Sequence, residues 1–175
     1  MTVHEAEATL YLPSREKLWT PPVSRNWRDW LKYLLEGERG SSATGDAMTT
    51  FLANEIIDHV FSAATYTAPA NTTTALYTAA PSDAGGGTEV TGGSYARVSK
   101  TNNATTWPAA SGGSKSNGTD HDFGTATADW GTVTHVGIFD GSTNLLMWGA
   151  LNTSRIVKNG DSFKFAATKL VLAFT

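Results

Sequence analysis

The sequence predicts a mainly β chain: an antiparallel β-sandwich or jelly roll preceded by an extended N-terminal arm and two short helices. Three observations predict it. The stretch WGTVTHVGIFDGSTNLLMWGAL (130–151) sets apolar runs on both sides of Asp140-Gly141, the strongest short-range hairpin signal. Turn signals rich in Gly, Asn and Asp recur between short alternating segments from Tyr66 onward. Before Tyr66 the spacing is instead helical, or broken by proline.

Taken in order, residues 1–23 carry Leu10, Leu12, Leu18 and Trp19 without a regular period, and Pro13, Pro21 and Pro22 between them. This reads as an extended arm that lies against another surface. Ser24 is a candidate N-cap. Trp27, Trp30, Leu31, Leu34 and Leu35 then fall on one helical stripe, and Gly37 ends it. A helix of about twelve residues is marginal alone, so the stripe needs a partner. Two tryptophans and three leucines suit a subunit contact, and packing on the chain's own domain fits them equally well. Residues 37–47 are a linker by composition. Thr50 is a candidate cap for a second helix through Phe51, Leu52, Ile56, Ile57, Val60 and Phe61.

The strands follow. Asn71 to Thr78 is the first, anchored by Leu76 and Tyr77. A Gly-rich loop around 81–93 leads to a strand at 94–100. Trp107-Pro108 marks an irregular or edge segment, because proline cannot donate to a ladder. Residues 111–118 read as a polar turn, and 122–128 as a short strand around Phe123. In the central hairpin, Trp130, Thr132, Thr134, Val136 and Ile138 share one face at period two, and Val133, His135 and Phe139 share the other. Leu145, Met147 and Leu151 then oppose Leu146, Trp148 and Ala150. Both faces are apolar, which sets this hairpin centrally with cover on each side. Phe163 and Phe165 alternate with Lys164 after the Asn159-Gly160-Asp161 turn, and Leu170, Leu172 and Phe174 close the chain. Seven or eight strands at this spacing indicate a sandwich.

Composition limits function. Only 17% of residues are charged and the net charge is −3. Lys and Arg form no stripe, which argues against nucleic acid. The absence of cysteine removes disulfides, thiol chemistry and Cys-ligated zinc. No secretory pattern is present, and no run reaches the roughly 18 apolar residues of a membrane span. Folding in a cytoplasm is expected. The Asn-X-Ser/Thr triplets at Asn71, Asn103, Asn117 and Asn152 are chance products of a Thr-rich chain.

Catalytic chemistry is hard to find. Gly85-Gly86-Gly87 lacks the Lys-Ser/Thr of a phosphate loop. Asp120-His121-Asp122 is the densest titratable group. Adjacent strand residues point to opposite faces, so at most two could share an ion, and the motif reads as a solvated strand entry. His59 reads as a helix-surface or capping group. No nucleophile–base pair or spaced acid pair emerges. No enzyme activity, cofactor or metal is expected.

From Met48 onward the chain resembles small bacteriophage virion proteins commonly labelled phage tail fibre proteins. The resemblance rests on FLANEIIDHVF, YTAPANTTTALYTAAPSDAGGGTEV, GGSYARV, TNNATTWPAASGGSKSNGT, the 130–151 hairpin and NGDSFKFAATKLVLAF. It implies a non-enzymatic structural protein of the virion. Residues 1–47 stand outside it as an anchor, and 48–175 form the sandwich domain with its leading helix. The anchoring residues are Leu18, Trp19, Trp27, Trp30, Leu31 and Leu34. The expected partners are other virion proteins of the tail, neck or capsid, together with copies of the chain in a homotrimer. Capsid decoration is the alternative, and copy number separates it from a tail or neck subunit. A receptor module is a second alternative, with loops 81–93 and 111–120 near Trp107 contacting a host surface glycan. Neither nucleic acid nor membrane is an expected partner.

Overall fold

The computed structural model describes residues 3–6, 8–10, 47–61, 64–141 and 143–173. Among them run, in chain order, β1 (Val3–Glu5), β2 (Ala8–Leu10), β3 (Ala47–Met48), α1 (Thr50–Val60), β4 (Asn71–Ala79), β5 (Thr88–Glu89), β6 (Val98–Thr101), β7 (Ser114–Ser116), β8 (His121–Thr125), β9 (Gly131–Phe139), β10 (Leu145–Val157), β11 (Ser162–Phe165) and β12 (Leu170–Ala173). The chain is mainly β, with antiparallel pairing dominant and one short helix among these residues. The expected helix at 24–36 lies outside the described residues, as do residues 37–46 of the expected 37–47 linker and all six anchor residues; Ala47, the last residue of that linker, is instead the first of β3.

The Asp-Gly signal makes the hairpin it promised. Gly141 takes φ 90°, and the Asp140 carboxylate accepts the backbone and side-chain N–H groups of Asn144 at 2.8 and 2.7 Å. β9 and β10 pair antiparallel, and β4 flanks β9 on its other edge. The face assignment differs from strict alternation, because β10 carries irregularities between Leu145 and Met147 and between Ala150 and Arg155. An extra residue in one strand of a pair reverses the inside–outside phase beyond it. Leu146 and Met147 therefore both enter the main core with Leu151, while Leu145 and Trp148 join a second cluster. Val133 likewise shares the main core with Val136 and Ile138, instead of opposing them.

The described strands form two sheets. One has three strands in the order β1-β11-β8. The other has nine and runs β5-β4-β9-β10-β2-β12-β7, with β3 on β10 and β6 on β4. The main core draws from both. Phe123, Phe163 and Phe165 of the small sheet stack edge to face at 5.5–6.3 Å, alongside Leu76, Val136, Ile138 and Met147 of the large one. Truncating such a Phe costs about 3–5 kcal/mol.

Other expectations are corrected. The cap of α1 is Thr49, not Thr50: its hydroxyl accepts from Leu52 N–H and reaches the Leu145 and Leu146 carbonyls of β10. Adjacent threonines cannot be told apart until that strand is in place. The strand expected at 94–100 begins at Val98, because Gly92, Gly93 and Ser94 all take positive φ. Tyr95 serves instead as a strut, its hydroxyl held between Leu76 N–H and Glu89. The polar turn at 111–118 contains β7, which pairs with β12. Asn117 at its end is fully buried. It donates to the Thr119 and Ala166 carbonyls and accepts from Leu170 N–H. A buried amide this well paired is a fastener, since each group left unpaired costs about 1–3 kcal/mol.

Val3–Glu5 and Ala8–Leu10 are extended, and the surface they lie on is the chain's own sheets. β1 runs parallel to β11; β2 sits between β10 and β12. Ala8 faces Leu151 and Ala47 faces Trp148 on the same edge of β10. Three steps along β10 separate those partners. Three steps from Ala8 lead past Thr9 and Leu10 to the place that Ala47 occupies. β2 and β3 are two halves of one strand position, with residues 11–46 leaving and returning between them.

Candidate functional site

Three regions stand out from the scaffold. The first is α1. No described residue of this helix is buried; Phe51 and Leu52 pack partly on the core. Its last turns expose Ile57, Val60 and Phe61 at 55%, 61% and 78%. An eleven-residue helix with such a face draws little stability from its own domain. His59 accepts the backbone N–H of Tyr66 at 3.2 Å, a local role at the helix end.

The second is the far side of the β4-β9-β10 sheet. Ala75, Gly137 and Trp148 form one row across the three strands. A Cβ on Gly137 would meet Leu145 Cδ1 at 2.8 Å and Tyr77 at 3.0 Å, so the row is kept small and the rings of Tyr77, Phe139 and Trp148 close over it. The Arg97 guanidinium lies 3.8 Å from the Phe139 ring centre and bonds Glu89 through Nε and Nη2 at 2.8 and 2.7 Å. That hydrogen-bonded carboxylate holds the guanidinium above its ordinary range. Burial pushes the Tyr95 hydroxyl up and keeps it a donor to Glu89. Asp83 accepts from Trp148 Nε1 at 3.3 Å. Between the 81–87 loop, the 140–144 turn and the start of α1 lies a cleft of about 360 Å³.

The third region holds Asp120-His121-Asp122. His121 is fully buried, not solvated. Its Nδ1 is 2.8 Å from the Thr74 hydroxyl, its ring packs edge to face on Trp107 at 5.4 Å, and its Nε2 has no hydrogen-bond partner. Burial, helped by Lys100 and opposed by Asp120, pushes the imidazole down to about 4. The two aspartates turn outward to cap loops: Asp120 accepts Ala167 N–H, which holds its carboxyl low, and Asp122 accepts Gly124 N–H. No group of three or more metal-ligating side chains gathers among the described residues. Trp107 is buried and donates to Thr72 at 2.9 Å, so its ring is not a platform for a sugar. Loop 81–93 borders the cleft; loop 111–120 does not.

The sequence reading did not single out the cleft residues. Tyr77, Asp83, Phe139 and Asn144 come from separate segments and meet only through strand pairing. The readable signals were the loop at 81–93, whose Asp83, Ala84, Gly85 and Gly86 line the cleft, and the apolar outer face of the hairpin.

The described residues thus form a sheet-built scaffold with an exposed apolar helix end and a mixed cleft. The model of the family described as podophage GP4 fiber I protein gp80 matches residues 47–173, and the chain belongs to that family. It is thus a phage fibre-type structural protein, a virion component. No curated protein matches it. The matched span opens at β3 and closes at the end of β12, leaving β1, β2 and residues 11–46 outside. No helix among the described residues is long and apolar enough to cross a membrane.

Proposed function

We propose that this chain is a fibre-like subunit of the tail or neck, docked by its N-terminal segment and projecting residues 48–175 as a trimeric β-sandwich. The observation that carries the reading is the fibre-family match over 47–173, combined with a segment, residues 11–46, that joins β2 to β3 and ends where the matched span opens. That segment holds Leu18, Trp19, Trp27, Trp30, Leu31 and Leu34. Buried aromatic anchors dominate contacts between proteins, at roughly 2 kcal/mol or more each. Replacing Trp27 and Trp30 together by Ala is expected to cut incorporation at least tenfold while the remaining chain stays folded. Quantitative mass spectrometry of purified particles reads this directly. Normal loading of the double variant would sink the anchoring role, and hundreds of copies per particle would mean capsid decoration.

The trimer draws support from α1. Ile57, Val60 and Phe61 are exposed, and the same face of a sister helix is an apolar partner for them. Ile57→Glu with Val60→Glu is expected to give monomers in sedimentation analysis with an unchanged β-sheet spectrum. Intact trimers would remove α1 from the contact.

A further inference from the structure

We propose that the slot between β10 and β12 is a strand-acceptor site and that, where copies of the chain associate, each slot is filled by residues 3–10 of a second copy. The inference rests on the reading that copies associate, and not on α1 or on the docking residues.

Three strand edges define the slot. β10 has β9 on one side, β11 has β8 and β12 has β7. Their other edges pair with residues 3–10: β1 with β11, and β2 with both β10 and β12. The Lys164 and Lys169 carbonyls accept the N–H groups of Ala6 and Ala8 at 3.0 Å. Ala6 and Ala8 are buried in the main core, so a strand entering here carries small side chains at those two places. β1 belongs to the small sheet and β2 to the large one, and one short arm thus closes both. Open edges over an apolar core are a template for a strand from any source that fits.

These pairings all lie between Leu151 and Leu172. The same arm from a second copy makes the same set, so exchange costs no pairing, which is the condition for swapping an element between copies. What ties the arm to its own body is the connection, residues 11–46. A connection of that length reaches at most about 130 Å, against a radius of gyration of about 14 Å for a body the size of the matched span. A neighbour's slot is within range. In a lone chain the arm returns to its own slot, where β2 and β3 share one strand position. In an assembly, exchange keeps every pairing and also ties one copy to the next, so association and exchange reinforce each other.

Cysteine pairs test the exchange, because the chain has no other thiol. Ala8 turns its N–H toward Lys169 beside β12, so its pairing with Leu151 of β10 is a non-hydrogen-bonded one. At such pairs the Cα atoms stand about 4.5 Å apart and a disulfide fits. Full-length Ala8→Cys and Leu151→Cys chains with different tags are co-expressed in equal amounts, purified together and oxidised. Neither can form an internal disulfide. Exchange is expected to link about half of the Leu151→Cys chains to Ala8→Cys chains, the share of slots that random mixing gives to the other variant. A chain carrying both substitutions should oxidise to linked multimers. The link should vanish when Leu10 is joined directly to Ala47 in the Ala8→Cys chain, which holds the strand in its own slot. Sedimentation of the unoxidised sample reads association separately. Oligomers with only internal links in the doubly substituted chain would overturn exchange and leave association standing; monomers with internal links would remove both. Should Leu151→Cys lose its sheet spectrum, Val3→Cys with Ser162→Cys, paired across β1 and β11, repeats the experiment with a short thiol cross-linker. Chains that stay unlinked with both pairs, singly and doubly substituted, would place residues 3–10 elsewhere and overturn the proposal.

Discussion

A chain in which Leu10 is joined directly to Ala47 is expected to fold and to be lost from particles. Ala8 and Ala47 hold places on the β10 edge that a single unbroken strand would fill, so the junction removes no rung of that ladder. Closing an unstructured insertion of that length would cost on the order of 3 kcal/mol, which is the most that the junction can recover. Thermal unfolding should therefore show a midpoint equal to or above that of the parent. Incorporation should fall to background if the docking residues lie where we propose. A shortened chain that fails to fold would mean that 11–46 contributes to the core. A folded one that loads normally would mean that docking lies elsewhere.

Acid is expected to weaken the fold through His121. Its imidazole titrates near 6.5 when exposed and is pushed down to about 4 in the fold. The folded state therefore binds this proton less readily than the unfolded chain. The stabilisation is complete above pH 6.5 and is lost as pH falls toward 4, amounting to about 3 kcal/mol. The structural cause is a ring sealed between Thr74 and Trp107, with Lys100 adding an unfavourable charge. Urea midpoints measured from pH 7.5 to 4 read the loss. Carboxylates titrate in part of that window, so the comparison is with His121→Leu, whose profile should be flatter by that amount. Parallel profiles for the two proteins would show that His121 does not carry the dependence.

Local signals in the chain were reliable where the physics was local. Asp140-Gly141 encodes its turn in two residues, and the Phe163-Lys164-Phe165 alternation encodes its face in three. The leading helix was legible from its stripe, and the fibre-family resemblance from Met48 onward from its segments. What escaped depended on partners distant in sequence. The irregularities in β10 are set against β9 and reverse the faces of Leu146 and Val133. β7 is Ser-Lys-Ser and has no strand signature of its own; β12 supplies it. His121, flanked by two aspartates, reads as a surface residue until Thr74 and Trp107 close around it. The cleft needed four segments to be assembled before it existed. The six proposed anchors lie outside the described residues, so their reading still rests on the helical stripe and the apolar arm.

The split strand on β10 leaves a seam in the edge of that strand. Its two cut ends emerge next to each other, and the surrounding sheet holds the seam shut. A segment inserted there is tied at both ends, where a terminal tail is tied at one. If residues 11–46 carry attachment as proposed, an exchange at this seam changes its specificity without altering a single side chain of the strands around it.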